Sequence, residues 1–394
     1  MDNARRTLLI VTGTLLSLGL VMVYSASFVY AERKFGSPTY FLQRHAIYLL
    51  AGCMALAVTS LLDYHRLARH WKWFIVLAVI VLAGVLVPGV GARINGARRW
   101  YSIGPLTFQP SELAKMLMIV GVAGWAAYAR DRILTFMHGF LPGSIIVGLV
   151  VVLTALEPDL GSAALMACVL SALLFVAGVR VRYALPALLL TVPVGALAAY
   201  SRLGYIRARI EHFVSGSEDP LGQGYQITQA MMAQGTGGVV GVGLGQGHCK
   251  LLFLPEAHND FIFALIGEEF GLLGTLSLLL LFTILVIQGW RVAAKAPDLL
   301  GSLIALGVTL TIGLQAAINI AVVTHSMPTK GISLPLVSYG GSSLIFALAS
   351  IGLLLNVAAH PAADVVTGTL GAKPRKTSIF RLSGRQPKPV AGDA

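Results

Sequence analysis

The run Leu254-Pro255-Glu256-Ala257-His258-Asn259-Asp260-Phe261-Ile262-Phe263 is the part of the chain best suited to chemistry. Pro255 interrupts the backbone and a long apolar stretch begins just after Asp260, so the acid falls near the N-terminal end of a helix. The helix dipole favours a carboxylate there, while partial loss of water raises its basicity. That combination suits a general base at an apolar boundary. The same acid also fits a simple helix cap. Glu256 and His258 flank it as candidate substrate contacts. Four and seven residues past the acid, Ala264 and Gly267 make a small face with room for a neighbour. Glu268 and Glu269 lie two turns further in, where charge is costly, and Glu269, pointing away from Asp260, is expected to have a structural partner.

Three further groups carry polar chemistry. Gly96-Ala97-Arg98-Arg99-Trp100 is followed by Phe108-Gln109-Pro110-Ser111-Glu112-Leu113-Ala114-Lys115. Arg98 and Arg99 can clamp a phosphate beside the Trp100 indole, or serve as an interfacial anchor. Ser111 can cap the following helix, with Glu112 and Lys115 paired across its first turn. Pro328 to Ser343, rich in proline and glycine and containing Lys330 and Ser338, predicts irregular backbone at membrane depth, which is tolerated where it lines a polar cavity or is buried in protein. The glycine-rich stretch from Gly222 to Gly247 lacks the GK[ST] ending of a nucleotide-binding loop and reads as a flexible or closely packed segment.

The elements that must position these residues are membrane helices. The 394 residues are 56% hydrophobic and 12% charged, with mean hydropathy +0.78, about half the charge of a soluble domain. Apolar runs of about 20 residues recur throughout. Ten spans are predicted, at 7–30, 44–62, 73–90, 111–128, 142–157, 160–179, 184–200, 260–289, 300–325 and 336–358. The fold class is therefore an all-α polytopic bundle over residues 1–360, with a large loop at 201–259 between helices 7 and 8. The first run is too long for a cleaved signal peptide and reads as a retained span. Residues 361–394, basic and rich in Gly, Pro and Ser, read as a disordered tail.

Arg and Lys in alternate connections (Arg5, Arg6; Arg66, Arg69, Lys72; Arg180, Arg182; Arg291, Lys295) assign that side, with both termini, to the cytoplasm. The opposite face breaks the trend with Arg33, Lys34, Arg44, Arg93, Arg98 and Arg99, as an anionic ligand or lipid headgroups on that face would require. The net charge of +12 follows from topology, and nucleic-acid binding is not expected. Cys53, Cys168 and Cys249 suggest neither a disulfide framework nor a metal cluster.

In order along residues 15–358, the blocks GLVMVYSAS, GARRW, QPSELAK, EPDLG, GYQ, LPEAHNDFIF and PTKGISLPLVSYGGSS closely resemble the SEDS (shape, elongation, division and sporulation) family, the FtsW/RodA/SpoVE group. Pro328-Thr329-Lys330-Gly331 and Pro255-Glu256-Ala257-His258 are more similar to its division-type than to its elongation-type branch. Asn259, where the family more often has Thr, and Tyr101 depart from the pattern.

The resemblance implies a ten-helix fold that polymerises lipid II into peptidoglycan strands on the outer face of the inner membrane, at the septum. The family's essential acid maps onto Asp260. Arg98, Arg99, Lys115 and Lys330 are then candidates to stabilise the departing diphosphate, with Trp100, Glu112, Glu256, His258 and Ser338 as further substrate contacts. No dedicated metal site is expected, but a divalent cation, Mg²⁺ or Mn²⁺, held partly by the substrate would suit the diphosphate. The implied partners are lipid II, a class B penicillin-binding protein and other division-complex proteins. A lipid II flippase, an elongation-type polymerase of the same family and a non-catalytic scaffold remain the rival readings, with Glu268 and Glu269 as the weak hint of the flippase's polar path.

Overall fold

A computed structural model describes residues 2–94, 97–103, 106–180, 182–183, 204, 223–250, 254–255, 257–328 and 330–360. Eleven α-helices are named among them: α1 (Asp2–Phe35), α2 (Tyr40–Leu61), α3 (Tyr64–Arg69), α4 (Trp71–Leu86), α5 (Pro110–Ala129), α6 (Leu141–Leu156), α7 (Leu160–Val176), α8 (Gln223–Gly237), α9 (Ile262–Lys295), α10 (Leu299–Val323) and α11 (Gly341–Ala359). Seven segments are long and apolar enough to cross a bilayer, and α4 and α7 are shorter apolar helices. These correspond to nine of the ten expected spans. The expected span at 184–200, most of the loop before Gln223 and the tail at 361–394 lie outside the described residues.

The bundle is built around α10, which packs on α5, α7, α9 and α11, while α2 lies along α11 and α1 along α9. Its middle is apolar on every side, as a helix enclosed by other helices must be: Leu303, Ile304 and Ala305 are fully buried. The lipid-facing helices show the reverse pattern, with Leu50 and Met54 of α2 and Leu276 and Leu280 of α9 turned outward.

Three local features differ from the sequence expectation. Residues 92–108, expected as a loop, form a three-stranded antiparallel sheet of β1 (Ala92–Ile94), β2 (Ala97–Ile103) and β3 (Leu106–Phe108), with Trp100 opposite Ala92 and Tyr101 opposite Phe108. Part of the glycine-rich outer segment is helical, as α8. The span expected as continuous over 260–289 is broken at Gly271, whose φ is 65° and ψ −159°.

The break is filled by another part of the chain. Gly238 and Val239 accept, through their carbonyls, from the amides of Leu272 and Leu273 at 2.9 and 3.1 Å. Val242 and Gly243 donate to the carbonyls of Glu268 and Glu269 at 3.0 Å each. The groups orphaned on both sides of the kink are thus satisfied by one crossing strand. Glycine is required on both partners, because a Cβ on Gly271 would lie 2.6 Å from the Val239 carbonyl oxygen, and one on Gly241 would collide with that of Glu269.

Candidate functional site

Polar side chains gather at the end of the bundle that carries the sheet, the α6–α7 turn, α8 and the segment 324–340. Their organiser is α10. Gln315 and Asn319, one turn apart on the same face, are 4% and 2% exposed. Asn319 donates to the carbonyls of Asp260 at 2.8 Å and Ile332 at 2.7 Å. Gln315 donates to the Ser333 carbonyl at 3.1 Å and accepts from Lys115 on α5 at 2.9 Å. Lys115 also pairs with Glu112 at 2.9 Å, the expected first-turn partnership, buried beneath the site. Two amides on one helix therefore tie the Asp260 loop, the irregular 330–334 segment and the Glu112–Lys115 pair into a single network.

Asp260 lies just before the N-cap residue Phe261, so it precedes α9 and does not cap it. Its carboxylate is half-buried, and Oδ2 lies so close to Gly331 that a Cβ there would come within 3.1 Å. Lys330, also half-buried, adjoins this contact in sequence. On the far side of the segment, Ile332 fits against Gly161 at the start of α7, where a Cβ would meet its Cδ1 at 2.8 Å. The EPDLG, LPEAHNDFIF and PTKGISLPLVSYGGSS blocks thus converge on five residues, 330–334.

His258 anchors the loop from the other direction. Its ring packs against Phe41, Tyr339 and Tyr30 at centroid distances of 4.6, 5.6 and 5.9 Å. Its carbonyl accepts from the Tyr339 amide at 2.9 Å. Burial, reinforced by the nearby Lys34 ammonium, pushes the imidazole down to about 4, so it sits neutral among the aromatic rings. This side chain holds the loop that carries the acid.

The second cationic group divides. Arg99 donates through Nε to the Glu157 carbonyl at 3.0 Å and through its terminal nitrogen to that of Pro158, fastening the sheet to the α6–α7 turn. In that turn Asp159 caps α7 through Ser162 and accepts from Gln109 at 3.1 Å and Ser111 at 3.2 Å. Ser111 is therefore engaged across helices and does not cap α5. The Glu157 carboxyl is fully buried, and burial, then Asp159, raises it to about 9 against the lowering effect of Arg99. Arg98 and Trp100 are half-buried on β2. Ser338 accepts from the Leu334 amide at 3.0 Å, closing the turn that follows the 330–334 segment. Glu256 lies outside the described residues.

Glu268 and Glu269 serve the outer loop. Glu268 accepts from the amides of His248 at 2.6 Å and Cys249 at 3.2 Å. Glu269 pairs with Lys250 at 2.9 Å and accepts from Ser25 of α1 at 2.6 Å, the structural partnership expected of it. Gly267, on the small face below the acid, receives Gln234 of α8. Among the described residues no group of three His, Cys, Asp or Glu side chains forms a metal cage.

The FtsW/RodA/SpoVE family, described as "Cell cycle protein", matches residues 5–363. A probable peptidoglycan glycosyltransferase FtsW of Geobacter metallireducens is 40% identical over 350 residues, 89% of this chain and 93% of that protein. Stage V sporulation protein E of Bacillus subtilis is 40% identical over 353 residues, 90% of this chain and 96% of its own. Among solved structures, a chain of a peptidoglycan synthase complex coordinating polymerization and crosslinking superposes with TM-score 0.73 at 30% identity, covering 89% of this chain and 96% of its own. The rod shape determining protein RodA of Thermus thermophilus gives TM-score 0.65 at 29% identity, with 89% and 95% covered.

Proposed function

The chain belongs to the FtsW/RodA/SpoVE family, and from that membership we propose that it is a peptidoglycan glycosyltransferase that polymerises lipid II in septal cell-wall synthesis. It is a multi-pass protein of the bacterial inner membrane. The observation that carries the mechanism is the placement of Asp260: half-buried, its backbone tied to α10 by Asn319, its carboxylate against the Gly331 backbone.

In the proposed reaction the acceptor sugar's 4-hydroxyl oxygen bonds to the donor's anomeric carbon as its proton passes to Asp260. The bond from that carbon to the undecaprenyl diphosphate breaks, and the diphosphate leaves with the electron pair. A single displacement inverts the anomeric centre. Lys330, beside Gly331, and Arg98, half-buried on β2, are the candidate cations for the departing charge. Lys115 acts from beneath, through Gln315 and Ser333, and Arg99 holds the α6–α7 turn. Trp100 is a candidate lipid contact at the interface. Glu112 supports Lys115, and Ser338 shapes the segment next to the acid. A divalent cation such as Mg²⁺ or Mn²⁺ would be held mostly by the diphosphate oxygens, because the described residues form no carboxylate cage for it.

The partners consistent with this reading are lipid II, a class B penicillin-binding protein supplying crosslinking, and other membrane proteins of the division complex. The Arg and Lys pattern supports a cytoplasmic side for both termini in this reading.

The experiment is a glycan polymerisation assay in detergent, with lipid II, divalent cation and the cognate penicillin-binding protein, comparing wild type with Asp260→Ala. The variant is expected to fold and to lose polymerisation. Normal chains from Asp260→Ala would remove the proposed base, and polymer formation in detergent separates polymerisation from flipping, which needs a bilayer.

A further inference from the structure

We propose that the end of the bundle opposite Asp260 carries a binding site for one anionic phospholipid, in the groove between α2 and α4 with α3 as its headgroup platform. The argument begins with packing. α2 lies on α1 and α11, α4 lies on α5 and α6, and α3 joins their ends on the same side. Between them is a groove of about 670 Å³, within the range of small-molecule sites. Leu61, Trp73, Phe74 and Leu77 form its apolar walls, while Arg66 and His70 stand at its α3 rim. Leu61 is 82% and Trp73 71% exposed, so the groove opens sideways to the acyl chains. The indole lies at the boundary where tryptophan is favoured.

The platform is held in place. α3 turns Tyr64 and Ala68, at i and i+4, into the core. The Tyr64 amide donates to Asn356 of α11 at 3.2 Å, and its hydroxyl to Asp298 before α10 at 3.3 Å. His65 sits between Asp63 at 2.8 Å and Asp298 at 2.7 Å. With those side chains engaged, the remaining positions of α3 display Arg66 and Arg69 outward, both exposed, and Lys72 follows at the start of α4. Asp63 also lines the groove, but its carboxylate accepts from the His65 amide and faces that ring. Arg66 at the groove, with Arg69 and Lys72 in the adjoining pocket beyond His70 and Trp73, outnumber Asp63 and Asp298, so the platform is net cationic beside an apolar trough, which matches a phosphate-bearing amphiphile and not a zwitterion of balanced charge. α2 runs from the aromatic cage around His258 to this rim, so the groove lies across the bundle from the candidate site. It depends on the chain crossing a membrane and not on the polymerase reading.

The test uses the purified full-length protein in neutral detergent. Phosphatidylglycerol or phosphatidylcholine of identical acyl chains is added, and bound lipid is counted by native mass spectrometry. Wild type is expected to hold phosphatidylglycerol roughly fivefold better, the effect of about one cation at an anionic headgroup. Arg66→Ala is expected to erase the preference, Arg66→Lys to keep it, and Arg180→Ala, an exposed cation elsewhere, to leave it unchanged. Trp73→Ala should weaken both lipids alike. Equal binding of the two lipids by wild type would overturn the proposal. So would equal losses in Arg66→Ala and Arg180→Ala, which would mean a diffuse basic surface, or displacement of the lipid by inorganic phosphate.

Discussion

Asn319 holds the backbone of Asp260 and the backbone of Ile332 with one amide group, 2.8 and 2.7 Å away. The acid and the segment its carboxylate touches are thereby referenced to the same turn of α10. Replacing Asn319 with Leu leaves the buried Ile332 carbonyl and the part-buried Asp260 carbonyl without their donor, a cost of about 1–3 kcal/mol for the buried one and less for the other. The larger effect should be on rate, since a small misplacement of a catalytic group costs on the order of 100-fold. Polymerisation by Asn319→Leu is expected to fall by about that factor with the apparent KM for lipid II little changed. A rise in KM with unchanged turnover would place Asn319 in substrate binding instead.

Lys115 is a second control point. Its ammonium serves Glu112 and Gln315 at 2.9 Å each, and both Lys115 and Glu112 are buried. Lys115→Met strands a buried carboxylate and is expected to destabilise the protein by about 3–5 kcal/mol. The double variant Glu112→Gln/Lys115→Met removes both charges and should recover most of the melting temperature. If the single variant melts like wild type, the pair is not sealed from water as the structure has it.

Glu157 sets a pH dependence. Its carboxyl, raised to about 9 by burial first and Asp159 second, keeps its proton in the folded protein while the unfolded chain releases it near 4.5. The folded state binds more protons across that window, so stability is full at the acid end and declines as pH rises from about 4.5 to about 9. At pH 7 the loss is about 3 kcal/mol. Glu157→Gln should therefore melt above wild type at pH 8, with the gap closing near pH 5. A gap independent of pH would show that the carboxyl ionises inside the fold.

The crossing strand at the α9 break predicts a sharp contrast between two glycines. Gly271→Ala places a Cβ on a positive-φ residue and against the Val239 carbonyl oxygen, and is expected to cost about 1–3 kcal/mol or more and to lower polymerisation. Gly148→Ala, in α6 with nothing within 4 Å of the new Cβ, is expected to leave both unchanged. Equal behaviour in thermal melts and activity assays would mean that the strand does not hold the loop.

Nine spans are legible because apolar runs are local signals, and so is the position of the acid ahead of α9, because an isolated charge beside such a run is local too. Asp260 was conspicuous as an ionisable group directly before a long apolar stretch. Gln315 and Asn319 give almost no sequence signal, because two neutral amides barely lower the hydropathy of α10. Their spacing of four residues was the available sign of a shared face. Ala97-Arg98-Arg99-Trp100-Tyr101-Ser102-Ile103 ahead of Gly104-Pro105 carries the mark of a hairpin, which its paired arginines, equally suited to phosphate chemistry, obscure. The use of Arg99 on backbone carbonyls of a distant turn has no local signature. Nor does the closure of the gap at Gly271, because the strand that fills it lies about thirty residues upstream and each glycine alone resembles a loop.

That gap also separates two rotations that a continuous helix would lock together. Within an unbroken rod, each added residue turns everything above it by about 100°. Here both pieces of α9 are referenced to the segment at 238–243, the upper through the carbonyls of Glu268 and Glu269 and the lower through the amides of Leu272 and Leu273. The phase between the membrane rod and the turn that follows Asp260 is therefore set by hydrogen bonds to a distant segment and not by the roughly 100° step of continuous helix.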